Sequence, residues 1–175
     1  MSEEMREQID NFRQWNEKQL NENINNFNPY IFDNPKLVNG IEIAIEKDGS
    51  SFICSYVASA VKMLIPNVKI YGFSADENPT SEYFKDDGDD GHHFAVLNNR
   101  YIIDPWIYNN YENYKSKKAF NRSVFDLKNK NDNNIIQYIY GDKNNWTDIT
   151  NGFDDFKILF PKSYQDLVVL YKSLM

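Results

Sequence analysis

Residues 91–106 read GHHFAVLNNRYIIDPW, a pattern that predicts a β-hairpin at the centre of the chain. Two β-prone runs, HHFAVL and RYIID, flank Asn98-Asn99. Asparagine tolerates the left-handed conformation that a two-residue type I′ hairpin needs at both central positions. With the turn there, cross-strand partners have residue numbers summing to 197, which pairs Val96 with Tyr101, Phe94 with Ile103 and His93 with Asp104. Side chains directly opposite share a face, with Cβ atoms about 4.5–5.5 Å apart. Asp104 then accepts from one ring nitrogen of His93 and leaves the other free, which is how a general base is oriented. Neighbouring histidines on a strand point to opposite faces, so His92 is the rival base, and a one-residue slip decides between them.

Upstream, residues 48–67 read DGSSFICSYVASAVKMLIPN. Gly49 supplies a turn, Ser50 or Ser51 a cap, and Ile53, Val57, Ala60 or Val61 and Leu64 recur at helical spacing as far as Pro66. The pattern predicts a buried helix over about 51–65. Cys54 then lies in its first turn, where unpaired N–H groups and the positive end of the helix dipole favour a thiolate. A cysteine at a helix start, a histidine about 40 residues later on a strand and a carboxylate on the next strand form the thiol version of the nucleophile, base and orienter triad.

These pieces, ICSYVASA and GHHFAVLNNRYIID in that order, resemble the papain-like and transglutaminase-like cysteine enzymes, especially their small bacterial effector and toxin domains. The resemblance covers roughly residues 45–106. It implies an α+β fold in which a central helix carrying the cysteine packs on an antiparallel sheet carrying the histidine and aspartate. It places Cys54 as nucleophile, His93 as base and Asp104 as orienter. It further implies a thiol hydrolase acting on protein amide bonds, a protease of effector or toxin type, or a glutamine deamidase or transglutaminase using the same triad. No cofactor or metal is expected. The expected partners are a protein substrate and an inhibitor, immunity or chaperone protein. The stretch EKDGSS before the cysteine departs from the family pattern, because it lacks the glutamine that many papain-like enzymes use in the oxyanion hole. Trp106 is expected only as a wall beside the triad.

At 175 residues and 20.7 kDa the chain is expected to form one domain, 1–175. Residues 1–30 carry Met5, Ile9, Phe12, Trp15, Leu20, Ile24 and Phe27 among polar side chains and read as an amphipathic helical segment. Residues 45–106 are the catalytic core, and 107–175 carry a strand and a C-terminal helix. An apolar stretch, Ile41 to Ile45, follows a loop punctuated by Asn34-Pro35. VKIYGFSA (68–75) reads as a strand, ENPTSEYFKDDGDDG (77–91) as a surface loop, IIQYIYG (135–141) as another strand and KSYQDLVVLYKSL (162–174) as a closing helix. Residues 109–134 show no clear period.

A net charge of −7 opposes a general grip on nucleic acid or anionic lipid, and the aromatic content of 15% comes without a basic groove. No run approaches a membrane span, and MSEEMREQID lacks the character of a signal peptide. The expectation is a cytoplasmic chain, or one passed into a target cell without a cleavable signal. With Cys54 as the only cysteine there is no internal disulfide. A metal site would have to draw on His92, His93, Asp89, Asp90 and Asp104, which lack metal-ligand spacing. The non-catalytic alternative is an immunity protein or adaptor whose acidic surface and N-terminal helix bind a basic partner.

Overall fold

The computed structural model describes residues 2–22, 27–88, 90–112 and 116–175, leaving aside the side chains of residues 13 and 15–22. It is an α+β arrangement built on one antiparallel sheet of order β4-β3-β2-β1-β5. The strands are β1 (Lys69–Ser74), β2 (Gly91–Leu97), β3 (Tyr101–Ile103), β4 (Val124–Asp126) and β5 (Thr147–Asp148). The helices are α1 (Glu3–Glu22), α2 (Pro35–Lys47), α3 (Cys54–Leu64), α4 (Asn133–Tyr140), α5 (Phe156–Leu159) and α6 (Tyr164–Leu174).

Strand alternation divides the core in two. Ile70, Ala95, Leu97, Ile103 and Val124 face an aliphatic layer made by Val57, Ala58, Val61 and Leu64 of α3 with residues of α2 and α6. The other face carries Phe73, Phe94, Val96, Ile102 and Phe125, covered by Phe84, Ile136, Ile139, Tyr140 and Trp146. In α1, Phe12 is buried and Ile9 packs on the first layer, whereas Met5 is exposed. Ile24 lies outside the described residues, as do the side chains of Trp15 and Leu20.

Three local expectations change. The apolar stretch Ile41 to Ile45 belongs to α2, which Asn34 caps by accepting from the Lys36 amide and which has Pro35 at its first position. Residues 135–140, expected as a strand, are helical. Their buried residues Ile136, Ile139 and Tyr140 follow helical spacing, and Gly141 at φ +62° ends the helix. The β-branched content concealed that stripe. Within the supposed surface loop 77–91, Asn78, Ser81 and Phe84 are buried. The Asn78 amide donates to the Tyr140 carbonyl at 2.8 Å, and Ser81 Oγ donates to the Ile139 carbonyl, so the loop is tied to the end of α4.

The decisive correction concerns the hairpin. Asn98 and Asn99 both adopt φ +54°, and the Arg100 amide donates to the Leu97 carbonyl at 3.0 Å, closing the expected tight turn. The ladder nevertheless pairs Leu97 with Tyr101, Val96 with Ile102 and Ala95 with Ile103, so partner numbers sum to 198. Arg100 is an extra, bulged residue. Its carbonyl accepts from the Leu127 amide at 2.8 Å, and its guanidinium grips Asp126 at 3.0 and 2.8 Å. The polar groups of the bulge are thus satisfied by the β4 end of the sheet. Residues of equal parity now share a face, and Asp104 moves from the side of His93 to that of His92.

Candidate active site

His92 is the second residue of β2, paired with Phe73 on β1. On its other side β3 has already stopped at Ile103, opposite Ala95, and the chain turns away through Asp104 and Pro105. His92 Nε2 donates to Asp104 Oδ2 at 2.6 Å, and the hydroxyl of Tyr140 donates to the same oxygen at 2.6 Å. The backbone of Asp104 is held by its own amide, which donates to the Ser123 carbonyl at 2.7 Å. All three members of this cluster are withdrawn from solvent, with relative exposures of 1% for His92, 2% for Asp104 and 0% for Tyr140.

Aromatic rings enclose the imidazole. Phe84 stacks on it with centroids 4.7 Å apart, Trp106 lies at 4.9 Å, and Phe94 and Tyr140 stand at 5.9 and 6.0 Å. Flat faces of this kind attract a cation and offer no hydrogen bond that competes with Asp104.

Bonding Nε2 to Asp104 leaves Nδ1, which is buried and makes no geometrically defined hydrogen bond of its own. Cys54 is close enough to favour the charged form of this ring. Burial by itself opposes the charge on His92, but the Asp104 carboxylate and then Cys54 outweigh it, pushing the pKa up to about 10. Burial, reinforced by the charge and hydrogen bond of Asp104, raises the Tyr140 pKa well above its ordinary value, so the phenol remains a neutral donor.

Cys54 is partly exposed and opens α3. The expected serine cap is absent, because the N-cap is Ile53, in extended conformation and without a side-chain hydrogen bond to the helix. The first N–H groups of a helix have no intrahelical acceptor, and an isoleucine cap supplies none. This leaves donors beside the thiol for an oxyanion in place of the missing glutamine.

Of the residues singled out from the sequence, Cys54 and Asp104 come together through His92. His93 lies on the opposite face, over Gly72, with its ring 5.7 Å from that of Phe153. Burial, then the neighbouring charge of His92, lowers its pKa. Tyr140 and Phe84 were missed because their segments were read as a strand and a surface loop. The Tyr83-Phe84 pair amid polar residues was the available signal for the latter. Among the described residues no three of His, Cys, Asp and Glu are grouped as a metal ion requires, and Asp89 lies outside them. Among the described residues no helix is long and apolar enough to cross a membrane.

Comparison with protein-family models, curated proteins and solved structures finds no match for this chain.

Proposed function

We propose that the protein is a cysteine-dependent hydrolase of protein amide bonds, with Cys54 as nucleophile, His92 as acid and base, and Asp104 as orienter, in a papain-like arrangement. The observation that carries this reading is the arrangement itself: a thiol at an uncapped helix start, close enough to a buried imidazole to help raise its pKa, and a carboxylate 2.6 Å from Nε2 of that ring. The ring is used with Nε2 towards the carboxylate and Nδ1 towards the thiol. The imidazole accepts the proton of Cys54, and the carboxylate and the aromatic faces stabilise the resulting imidazolium.

The thiolate attacks the amide carbonyl and forms a carbon–sulfur bond, with the oxyanion facing the N–H groups of the first turn of α3. The imidazolium passes its proton to the amide nitrogen as the carbon–nitrogen bond breaks. His92 then takes a proton from water, which attacks the thioester and releases the acid and Cys54. If the amide is a glutamine side chain, ammonia leaves and the outcome is deamidation.

Candidate substrate proteins are incubated with the wild type and with Cys54→Ala, then measured by intact mass and peptide mapping. New termini, made by the wild type alone, are expected. A gain of about 1 Da at a glutamine would instead assign the same triad to deamidation. Slow alkylation of folded Cys54 by iodoacetamide below pH 7, no faster than that of an ordinary exposed thiol, would remove the hydrolase reading.

A further inference from the structure

Asp104 stands one residue beyond the end of β3, where the ladder with β2 has already stopped at Ala95 and Ile103. Its main-chain support comes from the other side. Ile103 pairs with Val124 on β4, and the Asp104 amide prolongs that ladder by one step, donating to the Ser123 carbonyl at 2.7 Å. Ser123 is fully buried and forms the bend that leads into β4. This bend is gripped in turn by a residue from far upstream. Asp33 Oδ1 accepts from the Ser123 amide at 2.6 Å and from the Val124 amide at 3.0 Å. The stretch NPYIFDNP (28–35) fixes the place of Asp33 through its two Asn-Pro pairs. Asn28 caps the short 3-10 helix Pro29–Asp33 by accepting from the Tyr30 amide, and Asn34 caps α2 by accepting from the Lys36 amide. Between them Phe32 is buried, with its ring 6.0 Å from that of Tyr171.

We propose that Asp33 is a positioning residue of the catalytic unit: by holding the Ser123-Val124 peptide it fixes the carbonyl to which Asp104 is bound, and so aims Asp104 at His92. The inference rests on the hydrolase reading. The Ser123 carbonyl and the Val124 N–H belong to one planar trans peptide and point in opposite directions. Asp33 grips the N–H end of that unit and Asp104 the carbonyl end. If the Asp33 oxygen is lost, the two amides of the bend must find other acceptors, and the carbonyl turns with the peptide plane. Asp104 then loses its fixed support, and its 2.6 Å bond to His92 depends on distance and angle. The role belongs to the oxygen and not to its charge. Burial raises the Asp33 pKa and Asp132 adds to the rise, against the lowering by the two amides and by Arg122. The surroundings thus do not favour the charge, and a neutral oxygen in the same place serves equally.

Three substitutions in the full chain separate acceptor from charge. Asp33→Asn keeps an oxygen in place without the charge, Asp33→Glu keeps the charge but carries the oxygen one methylene further out, and Asp33→Ala removes both. The readout is iodoacetate alkylation of Cys54 across pH, followed by intact mass. Its alkaline limb, where His92 gives up its proton, is expected near 10 in the wild type. The limb should move down by about one pH unit in Asp33→Ala and Asp33→Glu, a tenfold weaker hold on the imidazolium, and stay in place in Asp33→Asn. Asn34→Ala removes the neighbouring cap of α2 and controls for simple destabilisation, so its limb should not move. Circular dichroism checks each fold, and if Asp33→Ala does not fold, the contrast between Asp33→Asn and Asp33→Glu decides. A limb that stays in Asp33→Glu, moves in Asp33→Asn or moves as far in Asn34→Ala overturns the positioning role, while fast iodoacetamide labelling of the wild type leaves the hydrolase reading standing. If that labelling is itself slow, the hydrolase reading falls and the positioning role with it.

Discussion

The two histidines are chain neighbours, yet they occupy different chemical environments. His92 points into the aromatic layer, bonds Asp104, has four rings within about 6 Å of its own and is driven towards the charged form. His93 points over Gly72 towards the layer beneath α3, where burial drives it towards the neutral form. Burial alone therefore does not determine the protonation state. A buried imidazole is charged where a carboxylate and π faces repay its lost hydration, and neutral where they do not. The sheet assigns one histidine to each situation by strand alternation alone.

The most severe test of this contrast removes each ring in turn. Cys54→Ala and His92→Ala should each reduce amide hydrolysis by at least about 10³-fold. His93→Ala should leave the iodoacetamide reactivity of Cys54 in place, and a dead thiol in that variant beside a reactive one in His92→Ala would reverse the contrast. A lesser loss, on the order of 10²-fold or more, is expected for Asp104→Asn. Iodoacetate alkylation as a function of pH checks its cause. The alkaline limb, where His92 gives up its proton, is expected near 10 in the wild type and should move down once the carboxylate is gone.

The same raised pKa affects stability. Its contribution is fully present below about pH 6.5, the value for an unfolded histidine, and is lost as pH rises through about 10. Thermal unfolding across that window should therefore cost the wild type more stability than His92→Ala. Tyr140→Phe removes one donor from Asp104 Oδ2 and should lower activity about tenfold, a hydrogen bond to a charged group having that order of worth. Circular dichroism should show the fold retained. The smallest effect is expected from Gly72→Ala, whose Cβ would crowd His93. A loss of about 1 kcal/mol in denaturant unfolding, with the alkaline limb unmoved, would sharpen the separation between the two faces.

The helix that opens at Cys54, the strands around Phe73 and Phe94 and the turn at Asn98-Asn99 were all legible, because each rests on local periodicity or on a residue suited to a positive φ. The histidine assignment was not. It depended on whether Arg100 is paired or bulged, and that is decided by Asp126 and Leu127, which belong to a region without a readable period. A parity error of one residue then passed unchanged from the turn to the site. Tyr140 was hidden for a different reason: Ile135, Ile136 and Ile139 favour a strand by type but follow a helical stripe by position, and tertiary burial chose the stripe.

The isoleucine cap of α3 also bears on engineering. A stabilisation campaign guided by helix statistics would choose Ile53 for replacement by Ser, Thr, Asp or Asn, with a gain of about 1 kcal/mol. The new side-chain oxygen would accept from the same N–H groups that stand beside the thiol, and an aspartate would add negative charge where one must develop. A library ranked by melting temperature alone would thus enrich the variants that silence Cys54, so position 53 should be held fixed while the rest of the surface is improved.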